Sequence, residues 1–187
     1  MSTIVGILLA AGHSRRFGSN KLLYPLQGIP MAVTSTRSLK QVIEQVVVVI
    51  NPQATELAKI LSEEGVQQIV CDSQGMGMSL ACGISSSLHA QGWVVALADM
   101  PFIQVETIRK VVDLLHQGIP MVAPQYQGKR GHPVGFLKQF GSELCQLAGD
   151  YGARELLQRY HITLFSCEDP GILHDIDRKE DFDQIVK

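Results

Sequence analysis

The sequence predicts an α/β protein, a three-layer α/β/α arrangement around a mostly parallel central sheet. Short apolar runs alternate with segments of helical periodicity as far as Pro120. The unbroken β-branched run at residues 46–50 is typical of a strand that is covered on both faces. Alternating strands and helices favour an open, mostly parallel sheet with helices on both sides.

The individual elements follow from local patterns. Strands are predicted at residues 4–8, 46–50, 66–71, 93–97 and 162–165, and helices at about 54–61, 78–89 and 105–115. Asn51 and Pro52 are predicted to be the N-cap and the first residue of the first of these helices. Gly65 is predicted to follow the C-terminus of the same helix.

The pattern changes beyond Pro120. Two apolar runs, at residues 121–123 and 133–137, flank the sequence Gln-Gly-Lys-Arg-Gly, which is typical of a turn. This segment predicts a small antiparallel excursion in the C-terminal half rather than another crossover unit. Two shorter helices, two strands and a terminal helix are predicted to follow. The last strand would carry Asp175 and Asp177 on opposite faces, because side chains alternate along a strand.

Length and composition set further bounds. A chain of 187 residues fits one domain with a substantial core, and a net charge of −2 gives no electrostatic reason to expect nucleic acid or an anionic membrane as partner. No apolar stretch approaches a membrane span and the N-terminal run is too short for a signal peptide, so we expect a cytoplasmic location. Reduced thiols are expected rather than disulfides or a zinc site, because the cysteines are widely spaced without a C-x-x-C pair. They are Cys71, Cys82, Cys145 and Cys167.

The most informative segment is the loop at residues 9–21, which follows the first predicted strand. Its pattern is L-A-A-G-x-S-x-R-x-G-x-x-K, without the second glycine of a P-loop. Small residues allow a ligand to approach backbone N–H groups closely, and cations nearby would meet polyphosphate charge. A phosphate-binding loop is therefore favoured over a solvated surface loop. The cations are Arg15, Arg16 and Lys21.

Polar residues end three of the other predicted strands, where ligands bind in such sheets. Asn51 is equally well interpreted as a helix cap or a ligand contact, and Asp72 could cap a turn instead of contacting a ligand. Asp99 follows an apolar strand and precedes Met-Pro, so its carboxylate should lie at the sheet edge. For Asp99 we favour a Mg²⁺ ligand over a structural turn, because Mg²⁺ takes one or two carboxylates together with substrate phosphates.

Two further motifs indicate ligand contacts. The sequence G-M-G-M-S-L at residues 75–80 starts a helix, and Gly77 and Ser79 are candidates for an anion or ribose contact. It is weak evidence for a dinucleotide, because Leu80 stands at the third glycine position. His132 follows a basic turn with Arg130, which favours an acceptor-binding role slightly over a purely structural histidine.

Together these motifs resemble one family over nearly the whole chain, the molybdenum cofactor nucleotidyltransferases. The resemblance rests on the loop at 9–21, G-M-G-M-S-L, L-A-D-M-P at 97–101 and G-H-P-V at 131–134. Support comes from G-D-Y-G-A-R at 149–154 and D-I-D at 175–177. The resemblance implies one Rossmann-like domain of the nucleotide-diphospho-sugar transferase type over residues 1–187. Its nucleotide-binding half would be about 1–100 and its acceptor-binding half about 101–187.

The resemblance also implies roles for single residues. Lys21 would bind phosphate and, with Arg16, stabilise the pyrophosphate leaving group. Asp99 would bind Mg²⁺ (or Mn²⁺), with Asp175 as a further candidate ligand. Arg-Lys follows Asp177 where the family more often has Thr-Pro, which puts a role for Asp177 in doubt. The base and ribose of the nucleotide would lie along Leu9, Ala10, Ala11, Gly12, Asn51 and Asp72.

The activity implied is transfer of CMP from CTP to the phosphate of molybdopterin or the molybdenum cofactor, with release of pyrophosphate. Ala11, in place of the glycine associated with GTP, favours CTP. A molybdoenzyme or its maturation chaperone is a candidate protein partner. One alternative is a related enzyme that uses GTP or acts on a sugar phosphate or an isoprenoid-precursor phosphate. A second alternative is a non-catalytic nucleotide- or cofactor-binding chaperone, which would not need both Lys21 and Asp99.

Overall fold

The computed structural model describes residues 3–12, 20–72, 75–178 and 181. The strands are β1 (Ile4–Ala10), β2 (Pro25–Leu26), β3 (Ile29–Pro30), β4 (Gln45–Ile50), β5 (Gln67–Val70), β6 (Gly92–Leu97), β7 (Met121–Tyr126), β8 (Lys129–Arg130), β9 (Val134–Leu137) and β10 (Thr163–Ser166). The α-helices are α1 (Met31–Lys40), α2 (Thr55–Glu63), α3 (Met76–Ser85), α4 (Val105–His116), α5 (Gly141–Cys145) and α6 (Arg154–Arg159). Short 3₁₀ helices span Lys21–Leu23, Lys138–Phe140 and Pro170–Leu173.

The central sheet is mostly parallel, as predicted. Its strand order is β10-β7-β9-β6-β1-β4-β5, with β8 paired to β7 outside this path. β1 pairs in parallel with β4 and β6, so that Leu9 lies beside Val49 on one side and Leu97 on the other. β5 continues in parallel from β4. The carboxyl ends of β1, β4, β5 and β6 therefore meet at one edge of the sheet.

The predicted antiparallel excursion lies between two parallel strands. β9 runs antiparallel to both of its neighbours, β6 and β7. β7 and β8 form a hairpin whose turn residues, Gln127 and Gly128, have φ angles of 48° and 76°. Positive φ at both central residues is typical of the type I′ turn that joins two-residue hairpins. The chain thus makes one local reversal and then returns to the sheet.

Helices cover both faces of the sheet, because successive strand residues point to opposite sides. Leu8 packs into one core with side chains of α1, α2 and α4. Its neighbour Ile7 packs into a second core with side chains of α3, α5 and α6. Both residues are fully buried. The three-layer α/β/α arrangement is confirmed.

Two helix boundaries differ from the prediction. α2 begins at Thr55 with Ala54 as its N-cap, so the prediction of Asn51 as N-cap is wrong. The Asn51 side-chain oxygen instead accepts the N–H of Gln53 at 3.0 Å and closes a turn before the helix. α3 begins earlier and ends at Ser85, where the hydroxyl of Ser87 donates to a carbonyl of the last helical turn. Gly65 follows α2 with φ of 65°, as predicted.

The C-terminal segment also departs from the prediction. Residues 174–177 follow the 3₁₀ helix Pro170–Leu173 and form no regular strand. Ile176 is fully buried, and its N–H donates to the Asp99 carbonyl oxygen at 2.9 Å. This hydrogen bond fixes the segment to the end of β6 without the ladder that a strand would make. The predicted terminal helix falls mainly on residues outside those described.

The expectation of four reduced thiols is wrong for one pair. Cys71, which follows β5, forms a disulfide with Cys82 on α3, with the Cα atoms 6.5 Å apart. This separation lies within the range that a disulfide spans. The sequence gives no signal for the pair, because packing of α3 beside the end of β5 brings the two residues together. Cys145 and Cys167 are free.

Breaking this disulfide should destabilise the fold. Cys82→Ser should lower Tm by about 5–10 °C under non-reducing conditions, because the cross-link restricts the unfolded chain. Cys145→Ser is the matched control, since it removes a free thiol, and its Tm should stay close to that of the unmodified protein. Scanning calorimetry with and without reductant measures both. Equal Tm values for Cys82→Ser and the oxidised parent would show that the disulfide contributes nothing.

Candidate active site

The carboxyl edge of the sheet brings together most of the predicted nucleotide-binding residues. Ala11 and Gly12 follow β1, Asn51 follows β4, Asp72 lies just beyond β5, and Asp99 lies just beyond β6. Their proximity is a consequence of the parallel pairing in register of β1 with β4 and β6. Ligands bind at this edge in open α/β sheets.

Asp99 is held by its backbone neighbours on three sides. The N–H of Ala98 donates to the carbonyl of Leu9, and the Ala98 carbonyl accepts the buried hydroxyl of Ser35 on α1, each at 3.0 Å. The Asp99 carbonyl accepts the N–H of Ile176. Its carboxylate therefore projects from a backbone that is fixed by the sheet, by a helix and by the C-terminal segment.

Lys21 forms ion pairs with two carboxylates at this edge. Its Nζ lies 2.8 Å from Asp99 Oδ2 and 2.7 Å from Asp177 Oδ1. The lysine side chain is 13% exposed, against 23% for Asp99 and 43% for Asp177. Burial by itself lowers the pKa of Lys21, but the two carboxylates outweigh it and raise the pKa above its usual value. The ammonium is therefore fully charged at neutral pH.

The backbone beneath Lys21 is fixed by a short cap. Asn20 precedes the 3₁₀ helix Lys21–Leu23, and its side-chain oxygen accepts the N–H of Leu22 at 3.2 Å. Leu22 is buried in the core on the α1 side of the sheet. The lysine thus combines an anchored backbone with a flexible side chain.

Asp175 joins Asp99 and Asp177 in a cluster of three carboxylates. One oxygen of each lies within 4.8 Å of the others. The prediction that Asp175 and Asp177 point to opposite faces is wrong, because it assumed a regular strand where the chain is irregular. The carboxylate of Asp181 accepts the N–H groups of Asp177 and Arg178 at 2.9 and 2.7 Å. This contact holds the turn in place without the Thr-Pro sequence that is more usual in the family.

The cluster offers a suitable set of donors for a divalent cation. Carboxylate oxygens are hard ligands, and Mg²⁺ and Mn²⁺ favour them. The ammonium of Lys21 already occupies a cation position between two of the three carboxylates. The residues present therefore fit the Mg²⁺ or Mn²⁺ that the sequence predicts, with Asp99, Asp175 and Asp177 as the candidate ligands.

A buried aspartate anchors the segment that carries this cluster. Asp169 is 2% exposed, and one of its carboxylate oxygens accepts the N–H of Gln104 at 2.9 Å and the hydroxyl of Thr107 at 2.6 Å. The other oxygen accepts the N–H of Gly171 at 3.0 Å. A Cβ on Gly171 would overlap the backbone at Phe102. The start of α4 and the C-terminal segment are thus held together by one carboxylate and one close backbone contact.

His132 lies beside the same segment. Its N–H donates to the Ile172 carbonyl at 3.0 Å, and its peptide bond to Pro133 is cis. The side-chain Nδ1 is buried and has no hydrogen-bond partner within the described residues. Burial lowers the pKa of His132, although the Val95 backbone and the Asp99 carboxylate act in the opposite direction. The imidazole is therefore neutral at pH 7, while Arg130 in β8 is exposed.

The glycines at the start of α3 allow a close backbone contact. The N–H of Gly77 donates to the Gly149 carbonyl at 2.8 Å, and a Cβ on Gly77 would lie 2.6 Å from the Ala148 carbonyl oxygen. The Ser79 hydroxyl donates to the Gly75 carbonyl at 3.2 Å. G-M-G-M-S-L and G-D-Y-G-A-R are therefore one packed unit. A nucleotide contact by Gly77 or Ser79 stays a prediction.

Other predicted residues lie outside the described structure. Arg15 and Arg16 fall within residues 13–19, so the leaving-group role of Arg16 also stays a prediction. The most important residue that the sequence left in doubt is Asp177, which contacts Lys21 directly. One signal in the sequence could have indicated its position. An apolar residue, Ile176, stands between two aspartates, which is typical of a buried anchor with polar neighbours on both sides.

Comparison with known families identifies the protein family. The MobA-like NTP transferase domain matches residues 6–163 of the chain. The chain belongs to the MobA-like NTP transferase family. This membership confirms the prediction of a nucleotidyltransferase. It agrees with the position of the carboxylate cluster at the carboxyl edge of the sheet.

Several curated proteins are similar over almost the whole chain. The purine catabolism protein PucB of Bacillus subtilis is 29% identical, in an alignment that covers 97% of this chain and 95% of that protein. The molybdenum cofactor cytidylyltransferase of Escherichia coli is 25% identical, with coverage of 97% and 95%. The probable molybdenum cofactor guanylyltransferase of Geobacillus is also 25% identical, with full coverage of both chains.

Solved structures share the fold of this MobA-like protein. The manganese complex of Rv0371c from Mycobacterium tuberculosis has a TM-score of 0.82 and 23% identity, covering 98% of this chain and 97% of that one.

No described helix is both long and apolar enough to cross a bilayer.

The Asp169 anchor gives a testable prediction for this site. Asp169→Ala should cost about 3 kcal/mol of unfolding free energy, because it leaves the N–H groups of Gln104 and Gly171 and the buried hydroxyl of Thr107 without their acceptor. Nucleotidyl transfer should fall as well, since Asp175 and Asp177 lose their support. Urea unfolding measures the stability change, with the exposed Asp113→Ala on α4 as control. Equal losses in the two variants would exclude the anchoring role.

Proposed function

We propose that this MobA-like protein transfers CMP from CTP to the phosphate of a molybdopterin-type acceptor and releases pyrophosphate. The observation that carries the proposal is the contact of Lys21 with Asp99 at the edge where the loop after β1 ends. A cation that would bind phosphate thus lies beside a carboxylate that would bind a metal. A protein that only bound nucleotide would not need both.

The nucleotide would bind at the carboxyl ends of β1, β4 and β5. The backbone at residues 9–12 would face the base, and Asn51 and Asp72 would contact the ribose. The ammonium of Lys21 would bind the triphosphate and stabilise charge on the departing pyrophosphate. Asp99, Asp175 and Asp177 would hold Mg²⁺ or Mn²⁺, which when bound neutralises phosphate charge.

The acceptor half uses the antiparallel excursion. A phosphate oxygen of the acceptor attacks the α-phosphorus of CTP in line, the new P–O bond forms and the bond to pyrophosphate breaks. Such a transfer depends on positioning and charge stabilisation, and no covalent protein intermediate is needed. Arg130 would attract the acceptor phosphate. One ring nitrogen of the neutral His132 bonds the Val95 backbone, so Nδ1 would accept one hydrogen bond from the acceptor without adding charge.

Asp99→Asn tests the metal role. The substitution keeps the size of the side chain but removes the charge that a divalent cation needs. Pyrophosphate release with CTP and molybdopterin should fall by about 100-fold or more, and added Mg²⁺ should restore it only in part. Asp113→Asn is the control, because that aspartate is exposed on α4. An unchanged Mg²⁺ dependence in Asp99→Asn would place the metal elsewhere.

Ala11→Gly tests the choice of nucleotide. The Ala11 methyl group is buried just beyond β1, in the core on the α3 side of the sheet, and in the proposal it limits the space beside the backbone that a base would fill. Loss of one methyl group changes discrimination by about 1–3 kcal/mol, so the variant should accept GTP more readily without reversing the preference. The measurement is kcat/KM for CTP and GTP in both proteins.

The parent protein provides the decisive comparison. A parent that prefers GTP would contradict the cytidylyl assignment and leave nucleotidyl transfer standing. Pyrophosphate release with a sugar phosphate or an isoprenoid-precursor phosphate, but not with molybdopterin, would contradict the proposed acceptor.

A further inference from the structure

Lys21 occupies oxygen atoms that a divalent cation would need. Its ammonium lies 2.8 Å from Asp99 and 2.7 Å from Asp177, two of the three members of the carboxylate cluster. At these distances a metal bound to the same two oxygens would lie in close contact with a positive charge. The lysine and the metal cannot both hold these two oxygens in this arrangement.

We propose that Lys21 and the divalent cation compete for Asp99 and Asp177, and that the triphosphate relieves the competition by drawing Lys21 away. The proposal rests on the proposed function and concerns how the same site is regulated. It assigns Lys21 a second role besides phosphate binding, as an internal counter-ion that holds the cluster while no nucleotide is bound.

Charge explains why the competition favours lysine in the free protein. Three carboxylates within 4.8 Å repel one another, and one ammonium between two of them reduces this repulsion. Adding a divalent cation while the ammonium stays in place would create a new repulsion between like charges. A triphosphate offers the ammonium an alternative set of oxygens with more negative charge.

The geometry allows this exchange without movement of the backbone. Lys21 begins a 3₁₀ helix that is capped by Asn20 and anchored by buried Leu22. Beyond this anchor the lysine has a four-carbon stem, and it is the more mobile of the two types of basic side chain. The ammonium retains partial access to solvent. It can therefore change partners by rotation about its side-chain bonds.

Coupling between the two ligands follows from linkage. If the triphosphate displaces the competitor of the metal, nucleotide raises metal affinity, and metal raises nucleotide affinity by the same factor. The free protein should bind the metal weakly. Removal of the ammonium should strengthen metal binding while it weakens nucleotide binding, a combination that a purely structural lysine would not produce.

The experiment measures Mn²⁺ binding by electron paramagnetic resonance, which reports free Mn²⁺ and needs no catalysis. The proteins are the full-length parent, Lys21→Met and Lys21→Arg, with Lys59→Met on the exposed face of α2 as matched control. Without nucleotide, Lys21→Met should bind Mn²⁺ about tenfold more tightly than the parent. Lys21→Arg keeps the charge and should bind as weakly as the parent, as should Lys59→Met.

A second measurement adds a CTP analogue with a methylene group between the α- and β-phosphorus atoms. The analogue should raise the Mn²⁺ affinity of the parent about tenfold and that of Lys21→Met much less. Adding Asp177→Asn tests the shared ligand. It should weaken Mn²⁺ binding more in the Lys21→Met background than in the parent, because only there is the oxygen available to the metal.

Three results separate the possibilities. Mn²⁺ binding to Lys21→Met that is no tighter than to the parent, with the fold verified by circular dichroism, would overturn the competition. Equally tighter Mn²⁺ binding by Lys59→Met would also overturn the competition, because the effect would then come from the loss of one positive charge anywhere on the protein. Tighter binding in Lys21→Met alone, with no effect of the analogue on any protein, would uphold the competition for the carboxylates but overturn its relief by a triphosphate, and it would contradict the proposed nucleotide site.

Discussion

The docking of residues 169–177 against the carboxyl end of β6 is the constraint on which the site depends. Asp169 ties this segment to the start of α4, and Ile176 ties it to the backbone of Asp99. A buried carboxylate is costly unless its oxygens are satisfied, and here three donors satisfy them. The same segment delivers Asp175 and Asp177 to the carboxyl end of β6, where the strand itself supplies only Asp99.

The antiparallel strand β9 connects this segment to the centre of the sheet. Because β9 pairs with β6, its N-terminal end lies next to the carboxyl end of β6, and His132 is placed near Asp99. The Ile172 carbonyl then holds the His132 backbone. A further parallel crossover unit would have placed a helix between these residues. The local reversal instead lets side chains from both halves of the chain approach one edge.

The sequence was sufficient where the structure follows from local patterns. The β-branched run predicted the strand β4, and the apolar run before Asp99 predicted that its carboxylate lies at the sheet edge, where parallel pairing places it. The sequence was insufficient where a single tertiary contact determines the position of a residue. Asn51 closes a turn instead of capping α2, and Cys71 meets Cys82 because a helix packs beside the end of a strand. Asp175 and Asp177 were misplaced because a regular strand was assumed where one buried isoleucine anchors an irregular chain.

The ion pairs of Lys21 connect the stability of this edge with its chemistry. A protein that gathers carboxylates to hold a metal must also tolerate them when the metal is absent, because like charges at short range oppose folding. A fixed arginine would neutralise the cluster but would hold both oxygens with a rigid fork. Lysine neutralises it with a single mobile charge that can leave. Lys21 therefore reduces the repulsion between the carboxylates in the free protein, and its side chain is of the type that can move to a triphosphate when a metal binds them.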